Sequence, residues 1–304
     1  MEYHRPVMLE ESVDALAIKP DGVYVDVTFG GGGHSALIVS RLTTGKLYSF
    51  DQDRDAEEQS KKLEGPNFQF VRANFRDLKK YLRLYRVKEV DGILADLGVS
   101  SHQFNEGSRG FSTRFDGPLD MRMDYDQGDS AKDVVESYSE EQLHRIFGIY
   151  GEVKNAKTLA RTIVEQRTRK PIETIEDFKQ AIRACTPKGK ENKYLAQVFQ
   201  ALRIEVNDEM KALEEMLVQA AEVLKPGGRL AVISYHSLED RLVKNFIAKG
   251  KFFGEVEKDL FGNEIKPLDA VSRKPVVPTE EELLINSRSR SAKLRIAAKR
   301  DLDD

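Results

Sequence analysis

The run Val23-Tyr24-Val25-Asp26-Val27-Thr28-Phe29, followed by Gly30-Gly31-Gly32-Gly33-His34-Ser35, constrains this chain more than any other stretch. Its apolar and β-branched positions read as a buried strand, the glycines as a sharp turn, and Ser35 to Leu42 as the opening of a helix. Adjacent glycines cost backbone entropy on folding, so a turn alone is a weak reason for four of them. They permit positive φ and let a ligand touch the backbone with no Cβ in between. The helix start behind them offers unpaired N–H groups and a partial positive charge. Together these features predict a nucleotide cradle.

The same strand–helix rhythm recurs along the chain. Leu9 to Val13 lies in a short amphipathic helix ending near Pro20, ahead of the cradle. Lys46 to Phe50 reads as a second strand ending in Asp51, Asp55 to Leu63 as a helix, and Phe68 to Val71 as a third strand. Val90 to Ala95 reads as a fourth strand ending in Asp96. Strands and helices alternating at this spacing predict an α/β fold with a mostly parallel sheet and right-handed crossovers. From Phe104 to Asp129 no period survives, and helical patterns then run from Glu140 to Ile204 with no strand between them. Ser139 with Gln142, and Thr174 with Asp177, are spaced as helix caps. The sheet pattern resumes with a helix over Asp208 to Leu224, the Pro226-Gly227-Gly228 turn and a strand over Arg229 to Ser234; a last strand spans Ala292 to Ala297. The pattern predicts a sheet domain of residues 1–103 and 207–304 with an inserted helical subdomain of residues 104–206.

Asp51 ends the second strand about 20 residues beyond the glycines, where a carboxylate holds a ribose hydroxyl pair in open α/β sheets. Its structural alternative is a helix cap. The glycine run departs from G-x-G-x-x-G, because Ser35 stands at the third position after Gly30 and Gly32. That weakens a dinucleotide reading without removing it. Asp26, Asp51, Asp96 and the Pro-Gly-Gly turn together resemble the class I S-adenosylmethionine-dependent methyltransferases. Phe75 can lie along an adenine or simply fill core. Asp96 stands over the expected transfer point as a hydrogen-bond acceptor. An exocyclic base amine needs such an acceptor, because its lone pair is conjugated with the ring. Methylation at cytosine C5 would need a thiol in this loop, and the one cysteine, Cys185, lies in the insertion.

Other signals are negative. Asp120, Asp124, Asp126 and Asp129 do not fit a calcium-binding loop, since Gly128, Asp129 and Val135 fall on the wrong positions; no metal site is predicted. Ser237 lacks a G-x-S-x-G elbow, which leaves His236 a structural or substrate-side histidine rather than part of a hydrolase triad. No run approaches the ~20 apolar residues of a membrane span, and the first residues do not form a signal peptide. With a single cysteine, this predicts a cytoplasmic protein. The net charge of −3 hides an asymmetry: residues 154–203 hold 12 lysines and arginines against 5 acids, whereas residues 104–153 hold 5 against 11. That basic block, and a second from Arg288 to Arg300, suit RNA phosphates, or else are ordinary solvated faces.

Several long motifs carry a more specific resemblance. They include His4 to Glu11, Asp26 to Ser35, Asp96 to Gln103, Arg109 to Ser112, Asp116 to Met123, Phe199 to Asn207, Ser234 to Arg241 and Asn286 to Arg295. Across them the chain resembles the RsmH/MraW family of bacterial ribosomal RNA small subunit methyltransferases. The resemblance implies a class I methyltransferase with a Rossmann-like, mostly parallel seven-stranded sheet and an inserted helical substrate-recognition subdomain. It implies S-adenosylmethionine as cofactor, with N4 of a cytosine in the decoding region of 16S ribosomal RNA, in the small ribosomal subunit, as acceptor. Cofactor contacts carry over onto Gly32, Gly33, His34, Asp51, Phe75, Asp96 and Gln103. His34 and Gln103 rest on the resemblance alone. Arg109, Phe111 and Arg122 are expected to contact RNA, or else to pack the loop that bears them. One stretch departs from the family: Lys193 to Val198 lacks its usual His-Pro and Thr-Arg pattern, which bears on substrate contacts there. A homodimer is compatible with the sequence. The rival readings are an NAD-dependent oxidoreductase on the same sheet and a non-catalytic RNA-binding assembly factor.

Overall fold

The structure is a computed structural model that describes residues 5–301, so His4 of the first motif lies outside the described residues. The chain forms two compact units, one of Met1–Gly98 with Met210–Asp304, the other of Val99–Glu209. The sequence pattern alone puts these divisions at 103/104 and 206/207.

The first unit opens with α1 (Leu9–Ala15), β1 (Val23–Asp26), α2 (Gly33–Ser40), β2 (Lys46–Asp51), α3 (Arg54–Ser60), β3 (Phe68–Arg72), α4 (Leu78–Leu84) and β4 (Val90–Asp96). The second unit holds α5 (Ser101–Asn105), α6 (Ala131–Ser137), α7 (Glu140–Ile149), α8 (Ala156–Arg167), α9 (Ile175–Ala181) and α10 (Glu191–Val206). The first unit then resumes with α11 (Glu209–Val223), β5 (Leu224–Ser234), α12 (Ser237–Lys249), the small hairpin β6 (Glu257–Lys258) and β7 (Glu264–Ile265), β8 (Leu268–Ala270), α13 (Glu280–Ile285) and β9 (Lys293–Lys299).

Seven strands pair in the order β3-β2-β1-β4-β5-β9-β8. The first five are parallel, whereas β9 runs antiparallel to both β5 and β8. Alternation along the central strands fills both faces. Tyr24, Leu47, Leu94 and Ala231 join a core with Val13 of α1 and Ile38 of α2. Their neighbours Val25, Tyr48, Ile93 and Val232 join a larger core with α4, α11 and α12. A sheet covered on both faces leaves one natural place for a ligand, the C-terminal edge of its parallel strands.

β1 is shorter than the sequence suggests. It stops at Asp26, and Val27 and Phe29 continue as single backbone links to Leu94 O and Phe50 O. The ladder breaks there because Asp26 turns its carboxylate back onto the Thr28 N–H, at 3.0 Å. In the second unit both anticipated capping boxes are present, at Ser139/Gln142 and Thr174/Asp177. A third, Ser130/Asp133, opens α6, for which the sequence pattern gives no helical signal. The unit has its own core, where Leu143, Phe147, Leu159, Ile163, Phe178 and Leu202 meet.

Candidate active site

Gly30 and Gly32 have φ of 53° and 80°, left-handed values that favour glycine. Gly33 is required for a different reason: a Cβ there would overlap Pro6 Cγ. Gly31 has neither constraint, since a Cβ added to it would meet nothing within 4 Å. The fold does not demand glycine at that position, whereas a ligand lying against the loop would. Ser35, the residue that breaks the dinucleotide pattern, has a specific task. Its hydroxyl donates to Asp26 Oδ2 at 2.6 Å and meets Ser49 Oγ at 2.8 Å, joining α2 to β1 and β2. A third glycine could not make that link.

Asp51 is not a helix cap. That role falls to Asp53, which accepts from the Asp55 N–H at 2.9 Å. Asp51 instead receives the Gly30 N–H at 2.8 Å on one oxygen and the Asp53 N–H at 2.9 Å on the other. Each oxygen keeps a lone pair for a further donor, which suits a hydroxyl pair. Phe75 follows β3, half-buried against the larger core. Ala73 N–H donates to Asp51 O at 3.0 Å and Asn74 Nδ2 to Gln52 Oε1 at 3.0 Å, so the Phe75 and Asp51 segments are bound together.

His34 is 5 % exposed. Its Nε2 lies 3.0 Å from Val7 O, and a carbonyl only accepts, so Nε2 carries the proton. Nδ1 faces Asp96 Oδ2 at 3.8 Å. Asp96 Oδ1 accepts the Tyr235 hydroxyl at 2.6 Å, and the Asp96 N–H donates to Thr28 Oγ1 at 2.6 Å. Glycine loop, Asp51, Phe75, His34 and Asp96 are thus assembled along one sheet edge. Burial pushes the carboxyls of Asp51 and Asp96 up to about 6, with the hydrogen bonds each accepts working against that rise.

A consequence for stability can be measured. An acid whose folded pKa lies above its unfolded value favours the folded state at low pH and loses that contribution as pH rises through the folded value. Asp51 and Asp96 titrate near 6, and burial raises Asp26 as well. The ligand-free protein is therefore expected to melt a few degrees higher at pH 5 than at pH 7. A calorimetric series across that window checks it; a flat or opposite trend contradicts the burial of these carboxylates.

Gln103 belongs to the second unit. There its side chain accepts the Ser100 N–H at 3.0 Å, completing the capping box of α5. Arg109 and Phe111 are buried in that same unit, 1 % and 6 % exposed. The Arg109 guanidinium donates to Arg122 O and Met123 O, both at 3.2 Å, and lies 4.1 Å from the Tyr125 ring centroid. Arg122 makes a two-pronged pair with Asp120, at 3.0 and 2.8 Å. All three side chains are engaged in holding their own loop. His236 caps α12 through Nδ1, at 3.4 Å from the Glu239 N–H. Tyr235 is a site residue that the sequence does not single out, although it follows β5 by one position and β5 pairs with β4 at Ile233 and Asp96. That register is the signal that reveals it.

The sequence profile of the MraW methylase family matches residues 1–300. The chain belongs to this family. Among its relatives, the ribosomal RNA small subunit methyltransferase H of Cytophaga hutchinsonii is 58% identical over 295 residues, covering 97% of this chain and 99% of that one. The protein of the same name from Christiangramia forsetii is 58% identical over 302 residues, 98% of each chain. Among solved structures, an rRNA methylase from Streptococcus thermophilus superposes with a TM-score of 0.41 at 14% identity, covering 99% of both chains. As a member of the MraW family the protein is a methyltransferase that uses S-adenosylmethionine. Its residues suit that cofactor: an open glycine with no internal neighbour, a helix whose first turn lacks a side-chain cap, and a carboxylate with lone pairs to spare. Gly31→Leu is accordingly expected to leave the melting temperature within about 2 °C and to weaken S-adenosylmethionine binding at least tenfold, whereas Gly33→Ala lowers the melting temperature outright. Calorimetric binding and thermal melts of the two variants separate the roles; equal affinity in Gly31→Leu would place the ligand elsewhere.

Proposed function

We propose that the protein methylates N4 of a cytosine in the decoding region of 16S ribosomal RNA. Its relatives are named as ribosomal RNA small subunit methyltransferases, over nearly the whole chain. The observation that carries the chemistry is Asp96: a half-buried carboxylate at the end of β4, one oxygen held by a hydroxyl and the other facing the site. Bound S-adenosylmethionine supplies a methyl group activated by a sulfonium.

Asp96 accepts a hydrogen bond from the exocyclic amine, which localises the nitrogen lone pair and aligns it for in-line attack. As the N–C bond forms, the methyl–sulfur bond breaks and the amine acquires positive charge. Asp96 takes the surplus proton and later loses it to solvent. No covalent intermediate with the protein arises. Asp51 would accept the ribose hydroxyls of the cofactor, and the half-buried Phe75 ring would border its adenine. Arg109, Phe111 and Arg122 act on the RNA through the loop they hold rather than by direct contact, and the second unit presents RNA-binding cations. A cytoplasmic setting follows from the substrate. For the homodimer, the measurement is light scattering, expected to give twice the mass of one chain.

Labelled methyl transfer to small subunits lacking the modification, followed by nucleoside mass mapping, tests the reading. The expected product is N4-methylcytidine in the decoding region. A methyl group on any other atom, or no transfer, overturns it.

A further inference from the structure

We propose that Tyr235 is a positioning residue for methyl transfer, acting by dividing the two oxygens of Asp96 between a structural and a reactive task. This rests on the function proposed above.

The local geometry follows from the register of two strands. β4 and β5 run parallel with Asp96 opposite Ile233, so Tyr235, one residue past the end of β5, lies just beyond Asp96. Its backbone is fixed by the start of α12. The buried Glu239 carboxylate accepts the Tyr235 N–H at 2.8 Å, one half of the turn that His236 closes. The ring is packed near Gly98, where an added Cβ would come within 3.5 Å of Tyr235 Cδ2. From this anchored place the hydroxyl donates to Asp96 Oδ1 at 2.6 Å. Burial raises the phenol well above its ordinary range, and the neighbouring Asp96 carboxylate adds to that rise. The phenol therefore stays a donor throughout the working pH range.

That leaves Oδ2. The atom facing it is Nδ1 of His34, 3.8 Å away. The Nε2–H is spent on Val7 O, which holds the ring with Nδ1 turned toward Oδ2. That separation exceeds a direct hydrogen bond, so Oδ2 keeps its lone pairs for another donor. An exocyclic amine is such a donor. Tyr235 fixes which oxygen is available, because without it Asp96 could rotate and spend either oxygen on the donor. The charged and titratable groups around Asp96 are His34 from α2, Asp26 from β1, Tyr235 just after β5 and Glu239 from α12. His34 and Tyr235 favour the ionised carboxylate, whereas Asp26 and Glu239 oppose it.

Tyr235→Phe removes one oxygen and keeps the ring. The expected result is a kcat about 10- to 100-fold lower, with KM for S-adenosylmethionine and the melting temperature little changed. Loss of a donor to the carboxylate raises its pKa, so the acid limb of the kcat profile moves to higher pH. Because Tyr235 acts through Asp96, the same substitution in an Asp96→Asn background lowers kcat less than twofold further. A kcat within twofold of the parent, an unmoved acid limb, or full additivity with Asp96→Asn each overturns the proposal. If the unaltered protein makes no N4-methylcytidine, the functional reading fails instead; the two failures are distinguished by the parent enzyme alone.

Discussion

Asp96→Asn is expected to lower methyl transfer to small subunits about 10³-fold, within the 10²–10⁴ range for losing a positioned proton acceptor. Asparagine keeps the shape of the side chain, and its amide oxygen can still accept the Tyr235 hydroxyl that Asp96 Oδ1 accepts at 2.6 Å. The fold is therefore retained, which a thermal melt checks. The amide cannot take a proton from a methylated amine, so the loss falls on kcat. Measurement at saturating S-adenosylmethionine keeps any change in cofactor affinity apart from the chemical step. The pH dependence supplies a second readout. Burial holds the Asp96 carboxyl at about 6, and only the ionised form can accept. Parent activity should fall as pH drops through that value, and the residual activity of Asp96→Asn should lose that limb. A variant with parent-like kcat would remove Asp96 from the reaction.

How far each feature is legible in the sequence depends on how it is encoded. The central strands announce themselves because both faces are covered, so Tyr24 and Val25, Leu47, Tyr48 and Phe50, and Ile93 to Ala95 form apolar stretches that lead into the terminal acids Asp26, Asp51 and Asp96. Asp51 is legible as a site residue because its position at a strand end is a property of the local sequence. Its freedom from capping is not, since Asp53 lies two residues on and either aspartate could cap α3. β8 escapes notice because three residues, Leu268–Ala270, are too few to show a period. α6 escapes for a similar reason, being seven residues long and preceded by a glycine- and aspartate-rich loop. Arg109 shows the limit from the other side. An arginine in a polar loop reads as a solvent-facing cation, and only the tertiary structure reveals it among the largest fully buried side chains, held by the Arg122 and Met123 carbonyls. Long-range pairing is likewise invisible in a local pattern, which is why Tyr235 emerges only with the register of β4 and β5.

The basic block of the second unit yields the other large effect. Three segments meet at one end of that unit. Asn155 Nδ2 donates to Cys185 O at 2.9 Å, and Gln197 Nε2 to Glu152 O at 3.3 Å, tying the start of α8 to the turn after α9 and to α10. Lys154, Lys157, Arg183, Lys188, Lys190 and Lys193 stand exposed on these segments. Lys190 is the N-cap of α10, and Lys193 lies in its first turn, at the positive end of the helix, where a cation is unfavourable by up to ~1 kcal/mol. A solvated face has no reason to accumulate cations there; a face that meets phosphates does. Replacing Lys188, Lys190 and Lys193 together by glutamate is expected to weaken binding of small-subunit RNA about 100-fold. The slope of log K against log salt should shrink by about 2 to 3, near 0.7–0.9 for each phosphate no longer neutralised. The melting temperature should hold or rise, because glutamate at the start of α10 matches the helix dipole. Filter binding over a salt series and a thermal melt read the two effects. Opposite signs, with RNA affinity down and stability level or up, are what an RNA-facing surface requires. Unchanged affinity and slope would return these lysines to the solvent.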